Sequence, residues 1–146
     1  MYRNFVNLCI TAFILVKVLG CSGISTLADK GIKKSLYSKG FLALIETAKS
    51  NYQNGSFDKA LSILKGMKDQ DLLPSERSMR RNLQGVVLFS KGNYEQAVYN
   101  FELALVTSRL DGYLDAQIYL NLASTYFKMG LYEKGFSSIK MVRYET

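Results

Sequence analysis

The chain has 146 residues, of which 48% are hydrophobic and 21% are charged. This composition is typical of one globular domain with a real core, and it excludes wholesale disorder. The 19 basic and 12 acidic side chains give a net charge of +7, which could attract nucleic acid, a membrane surface or an acidic protein. Because no histidine occurs, the usual general base, the imidazole metal ligand and every histidine-containing triad are excluded.

The basic residues are spread along the chain, so the charge by itself indicates ordinary solubility. The tightest group is Arg77, Arg80 and Arg81, and it is interrupted by Glu76. No aromatic residue of the kind that stacks on bases accompanies this group in the sequence. We therefore expect no nucleic-acid partner.

The N-terminal segment has the pattern of a secretory signal. Arg3 precedes an apolar run from Phe5 to Leu19, which matches the charged start and apolar middle of such signals. We predict that residues 1–20 are a signal peptide.

The end of this run, Val18-Leu19-Gly20-Cys21, resembles the bacterial lipobox. That resemblance implies cleavage before Cys21, loss of Cys9, and a diacylglycerol thioether and fatty acids such as palmitate on Cys21. Ser22 follows, and by the sorting rule of bacteria with two membranes it favours the outer membrane, facing the periplasm, over the inner membrane. The expected location is the cell envelope.

Lys17 departs from an uninterrupted apolar run, because a charge is costly in a membrane. The alternative is an uncleaved anchor that makes the chain a single-span subunit of a larger complex. Phe5 to Gly20 is only 16 residues, whereas a spanning helix needs about 20. The segment 21–40 is rich in Ser, Gly, Thr and Lys, and we interpret it as the lipidated Cys21 and a tether.

From residue 41 onward one pattern occurs three times. A glycine ends an apolar segment, an aromatic residue follows two positions later, and a small residue follows three positions after that. The three sets are Gly55, Phe57 and Ala60; Gly92, Tyr94 and Ala97; Gly130, Tyr132 and Gly135. The glycines lie 37 and 38 residues apart.

Each copy predicts a helical hairpin. Apolar residues before the glycine recur three and four apart, as on one helix face. The glycine supplies the left-handed backbone that ends this helix, and the small residue lets the second helix approach the first. Since one hairpin cannot bury its apolar stripe alone, several must stack.

These residues resemble tetratricopeptide repeats. The family also has small residues at the positions that Gly85 and Ala123 occupy in this sequence. The resemblance covers residues 41–146 and implies an all-α fold, a short right-handed superhelix (α-solenoid) of about three hairpins. The observed spacing exceeds the repeat length of about 34 residues. We place the extra residues in the connectors that contain Pro74 and Gly112.

In that family the first helices line a concave groove that holds a peptide or a partner helix. The equivalent positions here are Lys49, Tyr52, Gln53, Asn82, Val86, Phe89, Leu120, Ser124, Phe127 and Lys128. Tyr52, Phe89 and Phe127 would form a ladder of rings that anchors a peptide. The alternative is that each ring packs in the core of a neighbouring hairpin.

No phosphate loop, metal-ligand cluster or nucleophile–base pair is recognisable in the sequence. We expect a non-catalytic lipoprotein adaptor in envelope assembly that uses no cofactor, metal or small-molecule substrate. Its expected partners are another protein or peptide and, through Cys21, the membrane. The apolar face around Phe136, Ile139 and Val142 lacks the polar closing helix of such arrays. We expect a partner or another copy of the chain to cover it, which makes self-association through the last repeat an expectation. A truncated sequence would explain the missing helix equally well.

Overall fold

The computed structural model describes residues 36–107 and 112–142. These residues form six α-helices and no strand, which confirms the predicted all-α fold. The helices are α1 (Lys39–Gln53), α2 (Phe57–Gly66), α3 (Pro74–Ser90), α4 (Tyr94–Thr107), α5 (Gly112–Lys128) and α6 (Tyr132–Lys140). The predicted signal peptide 1–20, Cys21 and most of the tether 21–40 lie outside the described residues.

The helices pair as three antiparallel hairpins, α1–α2, α3–α4 and α5–α6, each closed by a three-residue turn. This arrangement is consistent with an α-solenoid. The right-handed superhelical twist stays a prediction from the family resemblance.

A glycine with a left-handed backbone ends the first helix of every hairpin. Gly55, Gly92 and Gly130 have φ angles of 74°, 81° and 75°. The next amide in each turn donates back across five residues, as from Asn93 N to Leu88 O at 3.0 Å. This is the Schellman arrangement, which satisfies carbonyls that a helix end leaves without partners. The predicted role of these glycines is confirmed.

The second helix of each hairpin lies close to the first because small residues stand at the contact. Ala60 and Ala97 are completely buried. Gly135 lies against the ring of Phe127, so close that a Cβ at this position would overlap it. In the middle hairpin the ring is on the second helix instead, where Phe101 covers Gly85 of α3.

The hairpins stack through one continuous core. Helix α3 packs against α2, and α5 packs against α4. Ile45, Leu64, Val87, Phe101 and Ile118 are among its most buried members. Burial of such side chains contributes about 2 kcal/mol each to folding.

The packed region begins earlier than the predicted boundary at residue 41. Tyr37 is buried and stacks on Phe41 at a centroid distance of 6.0 Å. The Ser38 side chain accepts a hydrogen bond from Phe41 N and caps α1. Residues from Leu36 onward therefore belong to the helical domain rather than to a free tether.

Proline and glycine of the connectors stand at helix starts. Pro74 is the first residue of α3 and Gly112 the first of α5. Proline suits this position because the first helical amide needs no intrahelical acceptor. The connector before α3 contains a short 3-10 turn at Asp69–Asp71.

The last hairpin exposes the face that its predecessors bury. Leu61 and Leu64 of α2 are buried, whereas Phe136 and Ile139, which occupy the corresponding places on α6, are 59% and 42% exposed. This is the face expected to permit self-association, and that expectation stays a prediction. No helix in the described ranges combines the length and apolarity that crossing a bilayer requires.

Candidate partner-binding surface

The first helices of successive hairpins contact each other, α1 with α3 and α3 with α5. We call α1, α3 and α5 together the first-helix row. Every predicted groove residue lies on one of these three helices.

Side-chain hydrogen bonds join the helices of the first-helix row. The hydroxyls of Tyr52 on α1 and Ser90 on α3 are 3.1 Å apart. Asn121 Nδ2 on α5 donates to Asn82 Oδ1 on α3 at 3.0 Å. Sequence reasoning missed Ser90 and Asn121, although each lies about one repeat spacing from its partner, at 38 and 39 residues. That spacing is the signal that could have found them.

In the first hairpin the three predicted positions differ in exposure. Lys49 is only 7% exposed, and its ammonium group lies 2.7 Å from Glu46 Oε1. Tyr52 is half-buried, with its ring 5.8 Å from that of Phe57. Gln53 is exposed. Only Gln53 of these three presents a largely free side chain to a partner.

The middle hairpin contributes half-buried side chains. Asn82 is occupied by its bond to Asn121. Val86 packs against the core. The ring of Phe89 lies 5.4 Å from that of Tyr94. This part of the first-helix row is therefore well packed, and a partner could contact only the exposed edges of these side chains.

The third hairpin is the most open part of the row. Leu120 is 41% exposed and Lys128 is exposed. The Ser124 hydroxyl donates to the Leu120 carbonyl at 2.9 Å. Phe127 packs between Tyr132 and Phe136, at centroid distances of 6.4 and 5.3 Å.

The three predicted ladder rings occupy equivalent places, since each packs on the aromatic residue that opens the following helix. These contacts lie within each ring's own hairpin, whereas the alternative expected each ring in the core of a neighbouring hairpin. Each ring is nevertheless only half-buried, so a partner could still reach its exposed edge.

A second set of polar residues links the first two hairpins. The buried Glu76 carboxylate accepts from Ser38 N at 2.6 Å and from Leu73 N at 2.9 Å. It thereby satisfies amides at the starts of both α1 and α3. Ser75 Oγ also donates to the Leu36 carbonyl. These contacts hold the beginning of α1 against α3.

Asp69 pairs with both Arg80 and Arg81. Partial burial raises the pKa of Asp69, but the Arg81 hydrogen bond and the Arg80 charge outweigh burial and hold the pKa below its ordinary value. Burial lowers the pKa of Arg80, although Asp69 opposes this shift; Arg80 remains fully charged at neutral pH. The two ion pairs of Asp69, with Arg80 and with Arg81, hold the connector before α3 against that helix.

Among the described residues, no three His, Cys, Asp or Glu side chains cluster as metal ligands would. Comparison with known proteins found no matching family model, no matching curated protein and no matching solved structure.

Proposed function

We propose that this chain is a membrane-anchored lipoprotein adaptor that binds a partner polypeptide across the first-helix row and catalyses no reaction. The observation that carries the proposal is the contact of α1 with α3 and of α3 with α5, which supports a surface shared by the three hairpins. The bonds Tyr52–Ser90 and Asn82–Asn121 support a fixed spacing along that surface.

A preformed surface suits an adaptor because little conformational entropy is lost when the partner binds. The open positions Gln53, Leu120 and Lys128 combine an amide, an apolar side chain and a cation. An extended peptide or an amphipathic helix would use the apolar contact for affinity and the polar groups for orientation.

Site-specific photocrosslinking tests the binding surface. A photoreactive amino acid is placed at Gln53, Leu120 or Lys128 on the row, and at the exposed control positions Ser62, Val106 or Ser137 on the second helices. The proposal expects the same crosslinked protein from row positions in both the first and third hairpins. Crosslinks of equal yield from both sets, or from the second helices alone, would contradict it.

The proposed membrane anchor rests on the lipobox resemblance at Cys21 and is tested separately. Globomycin, which blocks lipoprotein signal peptidase, should cause an unprocessed precursor to accumulate. Cys21→Ala should release the protein from the membrane fraction, whereas Cys9→Ala should not. If Cys21→Ala protein stays in the membrane and globomycin has no effect, the chain is not a lipoprotein.

A further inference from the structure

A depression of about 300 Å³ opens between hairpins one and two, and none of its lining residues is a predicted groove residue. Side chains of α2, α3 and α4 line it. Its polar members are Lys65, Arg80, Arg81, Gln84, Gln96, Tyr99 and Asn100. The volume is at the lower end of the range for ligand pockets, roughly 300–1,000 Å³, so one or two amino-acid residues would fill it.

The depression carries an excess of positive charge. Lys65, Arg80 and Arg81 contribute three cations, and Asp69 is the carboxylate that pairs with the two arginines. One carboxylate shared by two arginines leaves Lys65 and part of the guanidinium charge uncompensated. An anionic group is therefore favoured here.

Two buried polar groups beside this charge have unmet hydrogen-bonding capacity. Gln84 is 5% exposed and Arg80 is 4% exposed. Within the described part of the chain, Gln84 Oε1 and Arg80 Nε have no hydrogen-bond partner. An unpaired buried donor or acceptor costs about 1–3 kcal/mol, so a ligand that paired both would gain from doing so.

The two unmet groups are complementary in type. Arg80 Nε is a donor that needs an acceptor, and Gln84 Oε1 is an acceptor that needs a donor. A peptide group supplies both, through its carbonyl and its N–H. A small inorganic anion supplies mainly acceptors. The apolar side chains Leu61 and Leu88 and the exposed ring of Tyr99 also line the depression, and they suit a side chain's methylene groups.

We propose that the depression binds an acidic segment of a polypeptide. A Glu or Asp carboxylate of that segment lies against Arg81 and Lys65, and an adjacent peptide group pairs with Arg80 and Gln84. This site is formed by α2, α3 and α4 and shares no residue with the predicted groove positions, so its test does not depend on binding at those positions.

Fluorescence anisotropy on the full chain in detergent micelles tests the site. The probe is a fluorescein-labelled pentapeptide, Ala-Glu-Leu-Glu-Ala, blocked at both ends so that only side-chain carboxylates are present. We expect saturable binding, and at least tenfold weaker binding of the matched peptide with Gln at both Glu positions. Equal binding of the two peptides, or no binding of either at millimolar concentration, would overturn the proposal.

Three substitutions locate the binding. Arg81→Gln removes a cation at a partly exposed position. It should weaken binding of the Glu peptide about tenfold, as loss of a hydrogen bond to a charged group does. Gln84→Leu should weaken it by a similar factor. Lys140→Gln, which removes an equal charge from exposed α6, should change affinity less than twofold. A Gln84→Leu variant that melts higher with unchanged affinity would show that Gln84 is a structural residue only.

Competition identifies the chemistry of the occupant. Inorganic phosphate should displace the Glu peptide only at concentrations where sodium chloride of matched ionic strength does so too. Displacement by phosphate at much lower concentration would show a general anion site and overturn the assignment to a peptide. A free C-terminal carboxylate on an otherwise uncharged pentapeptide should compete at least fivefold less well than the Glu peptide; stronger competition would overturn the assignment to an internal acidic segment.

Discussion

The ring of Phe101 lies directly over the backbone of Gly85, where a Cβ would stand 2.5 Å from Phe101 Cε1. This contact joins α3 to α4 in the middle of the array. Gly85→Ala should therefore destabilise the fold by about 1–3 kcal/mol, as overpacking of a core does. Chemical denaturation followed by circular dichroism measures the change in the free energy of unfolding.

Gly40→Ala is the matched control, because Gly40 is also helical but has nothing within 4 Å of an added Cβ. There alanine should be neutral or stabilise the protein by up to about 1 kcal/mol through its higher helix propensity. Opposite signs for the two substitutions would confirm the close contact. The same stabilising sign at both positions would contradict it.

Removal of the buried Glu76 carboxylate should loosen the first hairpin. Glu76→Ala leaves Ser38 N and Leu73 N without their acceptor, which should cost about 3 kcal/mol. Glu76→Gln should restore part of this loss, since it keeps one acceptor oxygen. Glu95→Ala, at an exposed position in the first turn of α4, should change stability by less than about 1 kcal/mol. Equal effects of Glu76→Ala and Glu95→Ala would rule out the bridging role.

Acid should weaken the attachment of the connector to α3. The folded state holds the pKa of Asp69 below its ordinary value. The ionised carboxylate therefore stabilises the fold at every pH above that ordinary pKa. The contribution is lost as pH falls from about 4 through the lower folded-state pKa. The Asp69 side chain is 48% exposed, so solvent screens its ion pairs, and Asp69→Asn should lower stability at neutral pH by less than about 1 kcal/mol and flatten the decline in acid. Urea unfolding at a series of pH values measures both effects.

Asp71→Asn is the control for this comparison, since Asp71 lies in the same 3-10 turn and forms no ion pair within the described ranges. It should leave the pH profile nearly unchanged. If Asp69→Asn and the native chain decline in parallel, the ion pair makes no measurable contribution.

Substitution of Phe89 tests whether the half-buried rings stabilise their hairpins. Because its ring packs on Tyr94 at 5.4 Å, Phe89→Ala should lower the free energy of unfolding by about 2 kcal/mol, less than for a fully buried ring. Leu120→Ala, at a more exposed position on the row, should cost less than about 1 kcal/mol. Thermal melting followed by circular dichroism compares the two. If Phe89→Ala leaves the melting temperature unchanged, the ring does not stabilise the hairpin, and its predicted role as a partner contact is favoured instead.

The sequence by itself determined the hairpins, because their signals are local. A glycine that adopts positive φ, an aromatic residue two positions later and a small residue at the helix contact all act within one hairpin. The repetition of that pattern predicted three hairpins, and the described helices confirm the fold class. The packing of Tyr52, Phe89 and Phe127 within their own hairpins was not predicted, because a half-buried ring on a helix face has the same sequence pattern whether it contacts a partner, a neighbouring hairpin or its own hairpin.

Only the tertiary structure decided which polar residues meet. Glu76 reaches the start of α1, and Tyr99 comes to line the same depression as Arg81. These contacts depend on the rotation and offset between neighbouring hairpins, which the packing of the whole core sets. Repeat length alone does not specify that offset, and this is why the depression between the first two hairpins was not foreseen from the sequence.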